Sequence, residues 1–203
     1  MLPTPCTSHV PLDTIYEPAE DSYLFLDTLS SPSESFWLAA RFGGEPSSAS
    51  PLVVEVGTGS GVVLAFVAGN SGLILGRRDV LTLGVDVNRG ACVATRETVE
   101  KAVRERQSSP PASTTEEEEV LANQKQRHRV KTPLLAVLTA DLVSSLRDHT
   151  VDILLFTPPY VPTEELPELP LSDGQGEQRP PGANLSKFDS DSYFLSLTYA
   201  GGA

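Results

Sequence analysis

Four short runs of apolar, mostly branched residues recur along the chain, at 52–56 (LVVEV), 80–85 (VLTLGV), 134–138 (LLAVL) and 151–156 (VDILLF). Their length and weak alternation are typical of buried strands in a parallel sheet. Segments with helical spacing, 60–68 and 89–106, follow the first two runs. This alternation predicts an α/β fold with a doubly wound, mainly parallel sheet that is covered on both sides.

Two further helices are expected before the sheet, at 20–29 and from Pro32 onward, with Ser31 as the N-cap of the second. Three stretches resemble insertions because they are polar and rich in turn-forming residues: 43–51, 104–129 and 162–183. Each lacks the apolar content that would offset the entropy of ordering it, so we expect flexible, solvated loops. We interpret residues 1–203 as a single domain with these insertions.

Composition narrows the classes of partner. The 203 residues include 15 Lys and Arg against 27 Asp and Glu, a net charge of −12. Direct binding of nucleic acid is not expected, because phosphates are held by clustered Lys and Arg. Cys6 and Cys92 give neither a disulfide framework nor a metal cluster, and no apolar run approaches the ~20 residues that span a bilayer. We therefore expect a protein of the cytoplasm, or also of the nucleus, that binds no metal and no membrane.

A glycine-rich turn follows the first predicted strand. Glu55 is followed by Gly57, Gly59 and Gly61, which give the spacing G-x-G-x-G. Glycines there let the backbone turn sharply and approach a ligand closely, at the edge where doubly wound sheets bind ligands. The spacing matches neither a dinucleotide fingerprint nor a P-loop, and Glu55 would repel a pyrophosphate but pair with an ammonium group.

Acidic residues also end the next two predicted strands. Asp86 is placed to accept the hydroxyls of a ribose, and Asp141 could accept the amino group of an adenine. Either acid alone is equally well explained as a helix N-cap. Together with Glu55 they describe a ligand with a cation, a ribose and an adenine but no phosphate, which is S-adenosylmethionine.

The fourth predicted strand runs into Thr157, Pro158, Pro159 and Tyr160. Two prolines can simply terminate a strand. They also remove two N–H groups, which leaves nearby carbonyls free to accept from a ligand, and an aromatic ring after them can stack on a planar group. This arrangement would suit an amide or aromatic amine nitrogen.

Three motifs together resemble the HemK family of class I methyltransferases: 15–23 (IYEPAEDSY), 55–63 (EVGTGSGVV) and 152–160 (DILLFTPPY). The resemblance spans 13–161 apart from 104–129, and resumes weakly at 198–202 (TYAGG), which is similar to the family's substrate loop. It is greatest to the branch that methylates the glutamine of the Gly-Gly-Gln loop in the class I peptide-chain release factor. It implies a Rossmann-like fold, S-adenosylmethionine as cofactor, and a heterodimer with a small zinc-binding activator.

The resemblance also implies roles for individual residues. Tyr16 and Ser22 would close over the cofactor, while Glu55, Gly57 and Gly59 would line its methionine end. Asp86 would bind the ribose, and Asp141 with Leu142 the adenine. The catalytic positions that hold the substrate nitrogen would be Thr157, Pro158 and Tyr160.

Two departures from the family affect these expectations. The family has Asn where this chain has Thr157, so we predict cofactor binding with impaired methyl transfer. The family also continues for several strands beyond Ala203, so we expect a fragment that lacks the C-terminal strands and leaves the fourth strand at an uncovered edge. The third strand would form the opposite edge, where a partner chain could add a strand.

Three alternatives stay open on the sequence. Methylation of DNA adenine uses the same proline signature, although the net charge of −12 opposes it. Methylation of lysine in a basic protein tail is favoured by the acidic loops. A non-catalytic subunit that binds cofactor and holds a partner is favoured by Thr157.

Overall fold

A computed structural model describes residues 2–44, 48–108, 131–157, 159, 161–182 and 185–202. The helices are α1 (Glu20–Ser30), α2 (Pro32–Phe42), α3 (Val62–Ile74), α4 (Arg89–Gln107) and α5 (Lys187–Tyr199). The longer strands are β1 (Leu52–Val56), β2 (Leu81–Asp86), β3 (Leu134–Thr139) and β4 (Ile153–Phe156). Shorter strands follow: β5 (Val161–Pro162), β6 (Leu171–Ser172), β7 (Gln178–Arg179) and β8 (Ala200–Gly202).

The four longer strands form one parallel sheet in the order β3-β2-β1-β4. The register pairs Val56 with both Val85 and Phe156, and Asp86 with Thr139, so all four strands end at one edge. This topology confirms the predicted α/β, Rossmann-like fold. Within the described residues β3 and β4 are the two outer strands of this sheet, as the sequence predicts.

The main core lies on one face of the sheet. Helices α1, α3 and α4 pack there, and Leu26, Phe66 and Val99 belong to one buried cluster with Val53 and Leu155 of the strands. Almost every residue of α3 is buried, because neighbouring helices and the sheet enclose it. Helices therefore cover this face of the sheet, as the alternation of strands and helices predicts.

The opposite face of the sheet is covered mainly by the connection between β3 and β4. It carries a smaller cluster of Val54, Val56, Leu83 and Val85, packed by partly buried residues of the β3–β4 connection such as Leu146. No helix occurs between β3 and β4, since residues 140–152 form turns. The central strands are therefore buried on both faces, as expected, but turns rather than a helix cover the second face.

The region after β4 is more structured than the sequence suggests. Residues 162–182, predicted as a solvated insertion, include the antiparallel pair β6–β7. The segment 198–202, predicted as a loop, is the end of α5 and the strand β8, which pairs in parallel with β5. Of the predicted insertion 43–51 only 45–47 lie outside the described residues. The predicted insertion 104–129 lies outside them from 109 onward, and its first residues, 104–107, belong to α4. Among the described helices none is long and apolar enough to cross a membrane.

Candidate active site

A cavity of about 340 Å³ lies at the carboxyl ends of the strands. Its volume is within the range of ligand pockets, about 300–1,000 Å³. All eight residues predicted to bind the cofactor line this one cavity: Tyr16, Ser22, Glu55, Gly57, Gly59, Asp86, Asp141 and Leu142. Thr157 lines it as well, whereas Pro158 and Tyr160 lie outside the described residues. The structure brings these residues together around one cavity. Their roles in binding and catalysis stay predictions.

The glycine turn between β1 and α3 requires glycine for conformational and steric reasons. Gly57, Gly59 and Gly61 have φ values of 74°, 50° and 75°, in the left-handed region. A Cβ on Gly61 would lie 2.6 Å from the Cα of Thr95, so α4 supports the turn from behind. A Cβ on Gly59 would meet no heavy atom within 4 Å, because that position faces the cavity.

Asp86 joins the tip of β2 to the glycine turn. Its Oδ2 accepts the N–H of Gly59 at 2.9 Å, and its Oδ1 accepts the N–H of Asn88 at 2.8 Å. Burial raises the pKa of this carboxyl, against the lowering effect of those two hydrogen bonds. The Oγ1 of Thr58 also donates to Oδ2, at a long 3.5 Å, and a backbone hydrogen bond from Val87 lowers the pKa as well, so most of the about four acceptor sites of this carboxylate already face donors of the protein.

Glu55 is buried at the floor of the cavity. Its Oε2 accepts the N–H of Leu64 in the first turn of α3 at 2.9 Å. Burial raises its pKa well above the usual range; the Leu64 bond opposes this rise, and the nearby Asp86 adds to it. A cation that entered the cavity would stabilise the ionised form of Glu55.

Asp141 and Leu142 form the rim beyond β3. Both side chains are exposed, and Leu142 has a φ of 48°. The N–H of Ala140 donates to the carbonyl of Asp86 at 3.0 Å, which fixes this rim against β2. The three strand-end acids therefore converge on one cavity, as the sequence predicts.

Two tyrosines form the outer wall. Tyr16 comes from the N-terminal segment and Tyr199 from the end of α5, and their ring centroids are 6.0 Å apart. The N–H of Tyr16 donates to the Oγ1 of Thr198 at 3.2 Å. Segments from the two ends of the described chain thus meet over the cavity.

Thr157 directly follows β4 and contacts the glycine turn. Its Oγ1 donates to the carbonyl of Gly57 at 3.4 Å, a long hydrogen bond. A hydroxyl that donates to this carbonyl keeps its lone pairs available to accept a hydrogen bond.

Sequence reasoning missed an apolar wall from the segment 162–182. Leu166, Pro167 and Leu169 line the cavity. The amide of Gln178 holds this segment, since its Nε2 donates to the carbonyl of Val87 and its Oε1 accepts the N–H of Arg89, both at 2.8 Å. The three leucines of 166–171 (LPELPL) could have indicated this wall, because a solvated insertion is expected to be polar.

The charges of the lining favour a cationic ligand. Five acidic residues line the cavity: Glu17, Asp21, Glu55, Asp86 and Asp141. Among its described lining residues there is no Lys, Arg or His to hold a phosphate. The described part of the chain also has no group of three or more His, Cys, Asp and Glu side chains placed to hold a metal ion. These carboxylate acceptors fit a positively charged nucleoside.

This parallel sheet, with a glycine turn after β1 and acids at the strand ends, is consistent with the Rossmann-like α/β fold of methyltransferases. The chain is 29% identical to the fission yeast "eRF1 methyltransferase catalytic subunit mtq2", over 81% of its own length and 59% of the relative's. It is 32% identical to mouse "Methyltransferase HEMK2" over 81% of the chain and 60% of the relative, and 31% identical to the human protein over 79% and 56%. No family model matches the chain.

The chain is therefore similar in sequence, over about four fifths of its length, to proteins named as methyltransferases. It spans between 56% and 60% of the length of these three relatives.

Proposed function

We propose that this chain is the cofactor-binding part of an S-adenosylmethionine-dependent protein methyltransferase. The proposed substrate is the side-chain amide nitrogen of the glutamine in the Gly-Gly-Gln loop of the class I peptide-chain release factor. The observation that carries the proposal is the convergence of Glu55, Asp86 and Asp141 on one cavity beside Thr157, with no basic residue among its described lining. The name of the yeast relative supports the choice of substrate.

Each acid has a distinct part in this proposal. Bound S-adenosylmethionine supplies a methyl group activated on a positively charged sulfur. Asp86 accepts from the ribose hydroxyls while it keeps the glycine turn in place through Gly59. Glu55 neutralises positive charge at the floor of the cavity, where its burial excludes water and strengthens the attraction.

Thr157 orients the substrate nitrogen in this proposal. An amide nitrogen carries two hydrogens, and acceptors that hold both of them aim it at the methyl group, which is catalysis by orientation. The lone pairs of the Thr157 hydroxyl supply one acceptor, and a carbonyl of the proline pair supplies the other. A threonine side chain is shorter than the family's asparagine, so we expect this contact to be weaker.

The proposed partner is a small zinc-binding activator that adds to the edge of β3. Within the described sheet this strand has no neighbour on its outer side, and Leu135 on it is 52% exposed. An outer strand with an exposed apolar residue is suited to pairing with another chain.

A second candidate is a cofactor-binding subunit without catalytic activity. Thr157 favours it, because the residue that should accept the amide hydrogens is replaced by one with less reach. In this candidate the cavity binds S-adenosylmethionine and the chain holds its partner, but no methyl group is transferred.

One experiment separates these candidates. The chain, alone and with the activator, is titrated with S-adenosylmethionine and then assayed for transfer of a radiolabelled methyl group to the release factor. A release factor with Gln→Ala in the Gly-Gly-Gln loop is the matched control. Transfer to the glutamine only supports the methyltransferase, and binding without transfer supports the non-catalytic subunit. Transfer to a lysine-rich tail or to adenine in DNA would overturn the proposed substrate, and absence of binding would overturn both candidates.

A further inference from the structure

Asn88, which neither the motifs nor the cavity lining includes, makes contacts that link three parts of the site. It is buried just after β2, and its Oδ1 accepts the N–H of Gly90 at 2.8 Å as the N-cap of α4. Its backbone N–H donates to the Oδ1 of Asp86 at 2.8 Å. Asn88 thus fixes one oxygen of the carboxylate proposed to bind the ribose.

The side-chain amide of Asn88 contacts two segments that are distant from it in the sequence. Its Nδ2 donates to the carbonyl of Thr14 at 3.0 Å and to the carbonyl of Phe194 at 3.4 Å. Thr14 lies two residues before Tyr16, and Phe194 lies in α5, which ends at Tyr199. One amide group therefore holds both segments that carry the tyrosine wall.

We propose that Asn88 is a positioning residue that couples the nucleoside site at Asp86 to closure of the wall formed by Tyr16 and Tyr199. Because the same residue orders the carboxylate and both wall segments, a nucleoside that rigidifies Asp86 also rigidifies Tyr16 and Tyr199. This inference rests on the proposed nucleoside site but assigns a residue that lies outside the cavity.

The test compares Asn88→Ser with Asn70→Ser. Serine keeps the N-cap acceptor for α4 and removes both donors without adding a charge. Asn70 is a matched control because it is also a buried asparagine, whose Nδ2 donates to the carbonyl of Phe66 at 2.9 Å in α3, away from the cavity. Both variants lose hydrogen bonds to backbone carbonyls, so both are expected to lower the melting temperature.

The first readout is the affinity for S-adenosylhomocysteine. We expect Asn88→Ser to weaken binding about fivefold to tenfold, the effect of losing a net hydrogen bond or two, and Asn70→Ser to leave it unchanged. Equal affinities in the two variants would overturn the inference. Failure of the wild type to bind would instead overturn the proposed function.

The second readout is the protection from hydrogen exchange that the nucleoside causes. A purely structural role of Asn88 would not confine this protection to one part of the site. In the wild type and in Asn70→Ser, the nucleoside should slow exchange at the glycine turn and also at 10–16 and 190–199. In Asn88→Ser it should slow exchange at the glycine turn only. If Asn88→Ser does not fold, the exchange data on the wild type test the proposal by themselves. Protection by the nucleoside that is confined to the glycine turn would refute the coupling.

Discussion

The carboxylate of Asp86 accepts the backbone N–H of Gly59 at 2.9 Å, and this contact joins the tip of β2 to the turn that follows β1. Two motifs that lie 27 residues apart in the chain are thereby one structural unit. A ligand that binds one of them must be sensitive to changes in the other.

Asp86→Asn should weaken the binding of S-adenosylhomocysteine by about a hundredfold, since hydrogen bonds to a charged group contribute about 1.5–3 kcal/mol. The asparagine amide would also place its own N–H groups against the backbone N–H of Gly59 or of Asn88, so that two donors face each other. Calorimetric titration measures the effect. The control is Asp141→Asn on the exposed rim, which should cost less than about tenfold because solvent screens that position. Equal losses for the two variants would contradict the account.

Gly59→Ala and Gly61→Ala should have different effects. At Gly61 a Cβ would come within 2.6 Å of the Cα of Thr95, so the variant should lose about 3 kcal/mol of stability or more. At Gly59 there is space, so the cost should be only the ~1–2 kcal/mol of a left-handed backbone. Gly59→Ala should instead weaken nucleoside binding, because its methyl group would project toward the cavity. Urea denaturation and titration check the pair, and equal stabilities would argue against the described packing of α4.

Glu55 should make the protein less stable as pH rises. Burial raises its pKa in the folded state above the unfolded value. The folded state then binds the proton more tightly, so the contribution is present at low pH and is lost as pH rises through the raised pKa. The pKa of Asp86 is raised as well, which gives the same sign. As pH rises above the ordinary carboxylate range, the free energy of unfolding should therefore fall less in Glu55→Gln than in the wild type. If the two proteins lose stability in parallel with pH, Glu55 is not the group responsible.

The same group should link cofactor binding to proton release. A bound cation favours ionised Glu55, so the affinity for S-adenosylmethionine should increase with pH above the ordinary glutamate range. Titrations in buffers of different ionisation enthalpy measure the released protons. Glu55→Gln removes this proton release but retains the shape of the side chain. Release of the same number of protons by the variant would assign the linkage to another group.

Thr157→Asn should raise the rate of methyl transfer by about 10²-fold, by analogy with restoring one positioned hydrogen-bonding group in an active site. The affinity for S-adenosylmethionine should change little, because the substitution lies on the substrate side of the cavity. A single-turnover assay with the release factor and activator separates the two quantities. Thr157→Val, which has no hydroxyl, is the matched control and should have the lowest rate. An unchanged rate in the Asn variant would show that this position does not limit transfer.

The inner half of the site was predictable because local sequence determines it. Buried strands specify parallel pairing, and the residue after each strand must lie at the shared carboxyl edge, which places Glu55, Asp86 and Asp141 together. The positive φ values of the glycines follow from residue type and spacing in the same way.

The outer half depends on contacts between distant segments. Asn88 contacts Thr14 and Phe194, which lie 74 and 106 residues away, and no local pattern encodes such pairs. Helix α5 was missed because its sequence (KFDSDSYFLSLTY) mixes apolar and polar residues without a clear stripe, although the Oγ of Ser186 caps it by accepting the N–H of Asp189 at 3.2 Å. The second sheet face is covered by turns rather than by a helix, because the β3–β4 connection forms turns.

The most direct measurement of the central claim is a calorimetric comparison of S-adenosylmethionine with adenosine triphosphate on the same preparation. Both ligands carry adenine and ribose, but one is cationic at the position where the other carries phosphates. The predicted result is that S-adenosylmethionine binds at micromolar concentration and that the triphosphate gives no heat. Asp86→Asn should bind S-adenosylmethionine about a hundredfold more weakly. Tighter binding of the triphosphate, or no heat from either nucleoside, would contradict the account.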